Sequence, residues 1–268
     1  MKKLFIVCGL ALLGFQNVSA QDEDTWVPKQ LGIGVGVGTT GISVDLSTTV
    51  NRWFGVRAGV DIIPKINVNT DLDLGFKDEA SYLSAVGYNL PENIDVQGQL
   101  SSTTFHFLID FYPFKNSSFH ATTGFYTGGK EFISVYNKQD GILQDVYNWN
   151  AANPNDRFGV ELGDYFIAPG KDGNMKASIE VSSFRPYLGI GFGRAVPRKS
   201  RIGFQSDFGV QFWGTPKVYT TALDSSGKST KQQLTEDNVG GDGGDVIKII
   251  SKISVYPTLN FRLVGRIL

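Results

Sequence analysis

The closing stretch of the chain, residues 255–268, reads VYPTLNFRLVGRIL. Val255, Pro257, Leu259, Phe261, Leu263, Gly265 and Ile267 fall on one face of a period-two repeat, and Tyr256, Thr258, Asn260, Arg262, Val264 and Arg266 on the other. A period of two marks a β-strand. This one is long, apolar on one face, and carries two arginines on the other. A final strand of that kind fits a membrane β-barrel closing on itself, greasy outside and polar within.

Upstream the pattern recurs seven times. Leu31, Ile33, Val35 and Val37 alternate with glycines; Ile42, Val44, Leu46 and Val50 follow after a turn at 38–41. Phe54, Val56, Ala58, Val60 and Ile62 form a third apolar face, then Phe105, Phe107, Ile109 and Phe111, then Phe119, Ala121, Thr123 and Phe125. The sixth strand presents Phe184, Pro186, Leu188, Ile190 and Phe192, and the seventh Ile202, Phe204, Phe208, Val210 and Phe212. Between them, short turns at 51–53, 113–117 and 195–200 alternate with long polar segments at 65–99, 137–178 and 216–245, the first with room for a short helix at 79–86. Short turns at one end and long loops at the other are the habit of outer-membrane barrels. The expected fold is therefore all-β: an antiparallel transmembrane barrel of eight strands over residues 31–268, with long extracellular loops and short periplasmic turns. A strand hidden in a long loop would raise the count to ten. A soluble sandwich would bury the apolar faces against each other and would not need its short connections at one end.

The N-terminus fits export. Lys2 and Lys3 precede an apolar run from Leu4 to Phe15 and then Val18-Ser19-Ala20, so residues 1–20 read as a cleaved signal peptide. Residues 21–30 read as a periplasmic lead-in. The single cysteine, Cys8, lies within the signal, which removes disulfides and cysteine-based metal or nucleophile sites from the mature chain. Without Lys2 and Lys3 the formal charge falls from −1 to about −3, so there is no basic footprint for nucleic acid.

The opposite faces supply a polar interior. Eight strands enclose little space, so Arg57, Tyr187, Arg262 and Arg266 need glycines facing them. Asp45, Asp61, Asp110 and Asp207 provide carboxylates to balance the arginines, since unpaired charges there are costly. Leu108 interrupts this polarity. The expected lumen network is Arg57, Asp61, His106, Asp110, His120, Asp207, Arg262 and Arg266. Phe111, Tyr112, Phe114 and Phe119 are expected in an aromatic girdle at the periplasmic end, with Trp213 and Tyr219 at the outer rim.

At this point GVGTTGISVDLS at 36–47, DFYPF at 110–114, PYLGIGFG at 186–193, DFGVQFWGTPKV at 207–218 and YPTLNFRLVGRI at 256–267 resemble small porin-like or OmpA-like outer-membrane barrels of Gram-negative bacteria. The resemblance covers most of the mature chain except its long loops. It implies fold and location, and carries over no reaction, catalytic residue or cofactor. The chain departs from the family at its end: the family implies a terminal aromatic, and here Ile267 and Gly265 stand there, with Phe261 the only aromatic on that face.

Three motifs invite chemistry. Residues 36–41 spell G-x-G-x-x-G with Asp61 twenty residues on, but a dinucleotide loop must open a helix and 42–50 alternates as a strand. Residues 240–247 match one calcium-binding nonapeptide, yet one copy cannot stack a roll, so a flexible Gly/Asp loop is expected. Asn69, Asp71 and Asp73 have some EF-hand spacing, with Leu74 where glycine is required. Beyond these motifs, His106 and Asp110 share the inner face of strand four, and His120 lies across the next turn near Asp110. Lipid-modifying barrels use such groups; the plainer reading is a satisfied lumen pair.

The expected function is a structural or surface-interaction role through the external loops, without catalysis, metal or cofactor. A narrow channel for small solutes ranks second and a lipid-modifying enzyme third. The expected partners are outer-membrane lipid and lipopolysaccharide, the barrel-assembly machinery, and a surface ligand.

Overall fold

In the computed structural model, residues 30–267 are described except 76, 163 and 224–228; the expected signal peptide and most of the lead-in lie outside the described residues. Eight strands form a closed ring: β1 (Leu31–Gly38), β2 (Gly41–Thr49), β3 (Phe54–Gly75), β4 (Asn93–Phe111), β5 (Phe119–Gly128), β10 (Phe184–Phe192), β11 (Ile202–Phe212) and β14 (Val255–Arg266). Their order around the ring is β3-β2-β1-β14-β11-β10-β5-β4, and β3 pairs with β4 to close it. Every pairing is antiparallel. The closing strand lies between β1 and β11, with Val35 opposite Leu263 and Phe208 opposite Leu259.

The pleat separates the two faces. Ile33, Val35, Val37, Ile42, Val44, Leu46, Leu188, Ile190, Phe204, Phe208 and Leu263 all point outward and are exposed. A belt of that extent fits hydrocarbon and not water. Closure matters in that setting because lipid cannot satisfy an unpaired strand edge. The three prolines of the ring strands sit where this constraint is relaxed. Pro64 lies at the register shift of β3 against β4, between Ile63 and Ile66. Pro186 is paired only with Phe125 of β5, and Pro257 only with Val210 of β11. A missing N–H there breaks no second ladder. At the tight β1–β2 turn Gly41 has φ 95°, and a Cβ would run into the backbone carbonyl of Ile62; only glycine fits.

The long connections hold regular structure. β3 and β4 continue together past the ring, with Asn67 opposite Gln99 and Leu74 opposite Ile94. Three connections resume as strands after a short break: β6 (Glu131–Asn137), β9 (Lys176–Glu180) and β12 (Lys217–Leu223). These pair in the order β4-β6-β9-β12, with β13 (Ser229–Leu234) on β12. One side of the barrel thus rises as a wall beyond the mouth. Two short strands, β7 (Val160–Leu162) and β8 (Tyr165–Ile167), hang on β12. Helix α1 (Lys77–Ala85) falls close to the expected position, and packs with α2 (Gln144–Ala152) through Leu83, Leu90, Ile94, Leu143, Val146 and Trp149. A second small core joins β12 and β13 to helices α3 (Glu236–Val239) and α4 (Gly241–Lys252) through Leu234, Val239 and Ile247. The long polar segments are therefore ordered, and carry two cores of their own. The Gly/Asp motif at 240–247 is also not a loop. Gly240, at φ 63°, separates α3 from α4, and the rest of the motif, from Gly241 at φ 52° onward, is helix.

Candidate functional site

The inward faces meet in a packed ionic layer. Arg57 on β3 donates to Asp110 Oδ1 at 2.8 Å and to Asp207 Oδ2 at 2.9 Å. β3 and β11 are four places apart in a ring of eight, so the Arg57–Asp207 pair spans the full diameter. Asp110 also accepts from Thr122 at 2.8 Å and from Gln205 at 3.3 Å. His120 Nε2 lies 2.8 Å from Asp207 Oδ1. Arg262 on β14 grips Asp45 on β2 with two nitrogens and donates its third to Gln205 at 2.8 Å. Closer to the long-loop end, His106 Nδ1 lies 2.5 Å from Asp61 Oδ2, and Thr40 donates to the other oxygen of Asp61 at 3.1 Å. All these charged groups are buried.

Glycines make room for them. A Cβ on Gly34 would lie 2.6 Å from the Arg262 guanidinium carbon, and on Gly209 2.5 Å from the ring of Tyr187. Leu108, the interruption in the polar pattern, packs with Tyr126 and Tyr187 as a small apolar layer inside the barrel.

Both ends are also filled. At the short-turn end, the connection after β10 folds inward, burying Ala195 and Val196. The Tyr112 hydroxyl oxygen accepts the Ala195 N–H at 2.8 Å, and Arg194 lies over the Tyr112 ring at 4.9 Å. The Ala195 carbonyl accepts from Ser47 at 2.7 Å and from Arg262 at 3.3 Å. At the long-loop end, Trp213 stacks on Tyr256 at 4.5 Å and meets Phe132 at 4.6 Å. The void within the ionic layer is about 20 Å³, about enough for one water.

Of the eight residues expected in the lumen network, Arg57, Asp61, His106, Asp110, His120, Asp207 and Arg262 lie in these clusters. Arg266 does not: it is the last paired residue of β14 and donates to the Arg198 carbonyl at 2.9 Å, under the short-turn end. The expected network leaves out Asp45, Gln205 and Thr122, although all three sit at inward positions of the period. Two aromatic assignments are corrected. Tyr112 and Trp213 are buried in the interior, continuing the registers of Asp110 and Gln211, and are no girdle residues. Phe111 and Phe114 are exposed, and Phe119 packs edge-on to Phe192 at 5.5 Å. Tyr219 lies on β12 of the wall beneath the Lys231 ammonium.

Asp110, His120 and Asp207 bring ligand atoms within 4.8 Å of one another, a metal-like triad. The Arg57 guanidinium already occupies the cation's place between the two carboxylates, and a second positive charge there would be repelled. Neither histidine is hydrogen-bonded to a hydroxyl among the described residues. His106 turns Nδ1 to Asp61, and both ring nitrogens of His120 are engaged by the Ser118 carbonyl, Asp207 and Gln205, so neither forms a nucleophile–base pair among the described residues. The glycine motif at 36–41 is strand, turn and strand, without the helix a phosphate site requires.

No protein-family profile matches the chain, and no curated protein matches it. Among solved structures it is similar to CarO2 of Acinetobacter baumannii, at 16% identity over 88% of this chain and 98% of that one, with a TM-score of 0.48. It is similar to CarO of the same organism at 14% identity, over 91% and 99% of the two chains, with a TM-score of 0.46. A major outer membrane protein from Thermus thermophilus follows at 14% identity, over 88% and 98%, with a TM-score of 0.42. The barrel itself rests on the register of its own strands, not on these likenesses.

Proposed function

We propose that the chain is an outer-membrane barrel with a filled, non-conducting interior, whose work is done by the wall on its long-loop end. The observation that carries this reading is the Arg57–Asp207 pair across the full diameter. A path for solute would have to break it, and the Arg262–Asp45 pair beside it. In this reading the short turns face the periplasm and the wall faces outward, with lipid and lipopolysaccharide around the belt and the barrel-assembly machinery as the partner during biogenesis. The wall, with its two cores, presents a built surface to a ligand or another cell, and the barrel serves as its anchor. Catalysis has no support, because both histidines are held by aspartates away from lipid.

Planar-bilayer recording tests the filled interior: silence is expected, and discrete, reproducible openings would replace this reading with a channel. Trypsin on intact cells tests the orientation. Cleavage within the wall, at sites such as Lys217 and Lys231, is expected. Full protection on intact cells with cleavage after lysis would reverse the sidedness.

A further inference from the structure

Helix α4 carries two apolar faces, and only one is packed. Gly244 and Ile247 turn toward the wall, where Ile247 joins the core of Leu234 and Val239. Val246 and Ile249 of the helix and Ile253 at its C-cap recur at three- and four-residue spacing, which lines them up along one side of it. Their exposures are 55%, 62% and 52%. A third arc, next to Ile249, is polar: Asp245, Lys248 and Lys252. Lys248 pairs with Glu236, and Lys252 has no carboxylate partner among the described residues.

An unpacked stripe of large aliphatic side chains needs an occupant, and the chain itself says which. The Ser254 carbonyl accepts the Trp213 N–H at 2.8 Å, tying the end of the helix to the top of β11. Val255, Pro257 and Leu259 follow at once as outward, exposed positions of β14. The exposed stripe is thus followed directly in the chain by the first outward positions of the belt that faces hydrocarbon. Ile249 and Ile253 are roughly 6 Å apart along the axis, so the lower half of the helix lies within one turn of that belt. A polar arc with lysines beside an apolar stripe is the pattern of a helix that rests in the headgroup and acyl boundary of a bilayer; here Lys248 is shared with Glu236 and Lys252 is the cation without a carboxylate partner among the described residues.

We infer that α4 is a membrane-surface element: its Val246–Ile249–Ile253 stripe enters the outer leaflet beside β14, with Lys248 and Lys252 at the level of lipid phosphates. This rests on the outer-membrane reading above. Its consequence is that the β12–β13 side of the wall leans on the bilayer and is held at a fixed tilt to it, instead of standing free.

Cysteine variants test it, since the only cysteine lies in the expected signal segment. Ile249→Cys, Ile253→Cys, Val44→Cys and Lys171→Cys would each be labelled with an environment-sensitive fluorophore. The barrels would then be refolded into phosphatidylcholine vesicles containing lipids brominated near the headgroup. Val44 is a belt position and Lys171 an exposed turn of the wall. The expected result is quenching at Ile249→Cys and Ile253→Cys within about twofold of that at Val44→Cys, and little at Lys171→Cys. Two helix positions guard against one label disturbing the fold. Quenching at Val44→Cys with both helix labels at the level of Lys171→Cys would overturn the inference and leave the barrel reading intact. No quenching at Val44→Cys would sink the barrel-in-membrane reading and the inference with it. Helix labels that are shielded but cross-link to a second copy would give the stripe to another chain and overturn the lipid assignment.

Discussion

Replacing Arg57 by Met isolates what the ionic layer contributes. The substitution keeps an unbranched side chain and removes the guanidinium between Asp110 and Asp207. Breaking a buried pair by removing one partner costs about 3–5 kcal/mol, because the remaining charge is left without compensation. The surroundings set where in that range the loss falls. Asp110 keeps Thr122 and Gln205, and Asp207 keeps His120. Arg57 also carries one buried nitrogen, Nε, that has no hydrogen-bond partner, so its removal relieves a small penalty. Both facts favour the lower end, about 3 kcal/mol, which is more than roughly a hundredfold in the folding equilibrium. The triple variant Arg57→Met, Asp110→Asn, Asp207→Asn removes the stranded charges and leaves the shape. It is expected to recover to within about 1 kcal/mol of the parent. Urea unfolding in vesicles, followed by tryptophan fluorescence and by heat-dependent mobility on gels, measures both. A single variant as stable as the parent would refute the claim that this pair is a closed, dehydrated contact. A triple variant as weak as the single one would show that the loss comes from packing and not from charge.

Gly34→Val should fail for steric reasons: its Cβ lands 2.6 Å from the Arg262 guanidinium carbon. Overpacking and loss of the Asp45 pair then add to about 3 kcal/mol or more, whereas Ile33→Val on the outward face should be near neutral by the same unfolding assay. In the wall, burial works against the Glu131 carboxylate, but the Ser134 hydroxyl and the Lys176 ammonium outweigh it and hold its pKa below the ordinary value. A depressed carboxyl stabilises above its unfolded pKa of about 4.3, and that contribution is lost as pH falls through the lower folded value. Hydrogen exchange in β6 and β9, corrected for intrinsic rates, should thus lose protection as pH falls below about 4, and Glu131→Gln should remove the effect. His106→Ala and His120→Ala leave Asp61 or Asp207 short of a partner. Each should destabilise the barrel by about 1–3 kcal/mol, while lipid A and phospholipid turnover in cells stay unchanged.

The ring was legible because lipid imposes a rule on every strand that crosses it. Wherever one face must be apolar and the other must fit a narrow interior, the sequence alternates strictly, as in 31–38 or 202–212. The wall has no such solvent on either side. β9 reads KASIE and β13 STKQQL, segments with no outward apolar face, so their period is weak and their place in the sheet comes from pairing partners distant in sequence. Helix α4 was hidden for another reason. Its first residues are glycine and aspartate, a composition that reads as loop, while Val246, Ile247, Ile249, Ile250 and Ile253 carry a helical period that outweighs it. The same contest between composition and period decides the aromatic residues. Tyr112 and Trp213 stand near barrel ends, where aromatics commonly form a girdle. Yet each lies two residues past an inward polar group, Asp110 and Gln211, and the pleat sends them inside. Where the two signals disagree in this chain, the period is the physical constraint, because shifting one residue would turn every neighbour over. The interior that results holds two arginines, four aspartates and two histidines in paired contacts, one of them across the full ring. Such an arrangement fixes the relative height of opposite strands as well as filling the space between them, which is what a barrel needs if one side of its wall is to be built upward as a rigid extension.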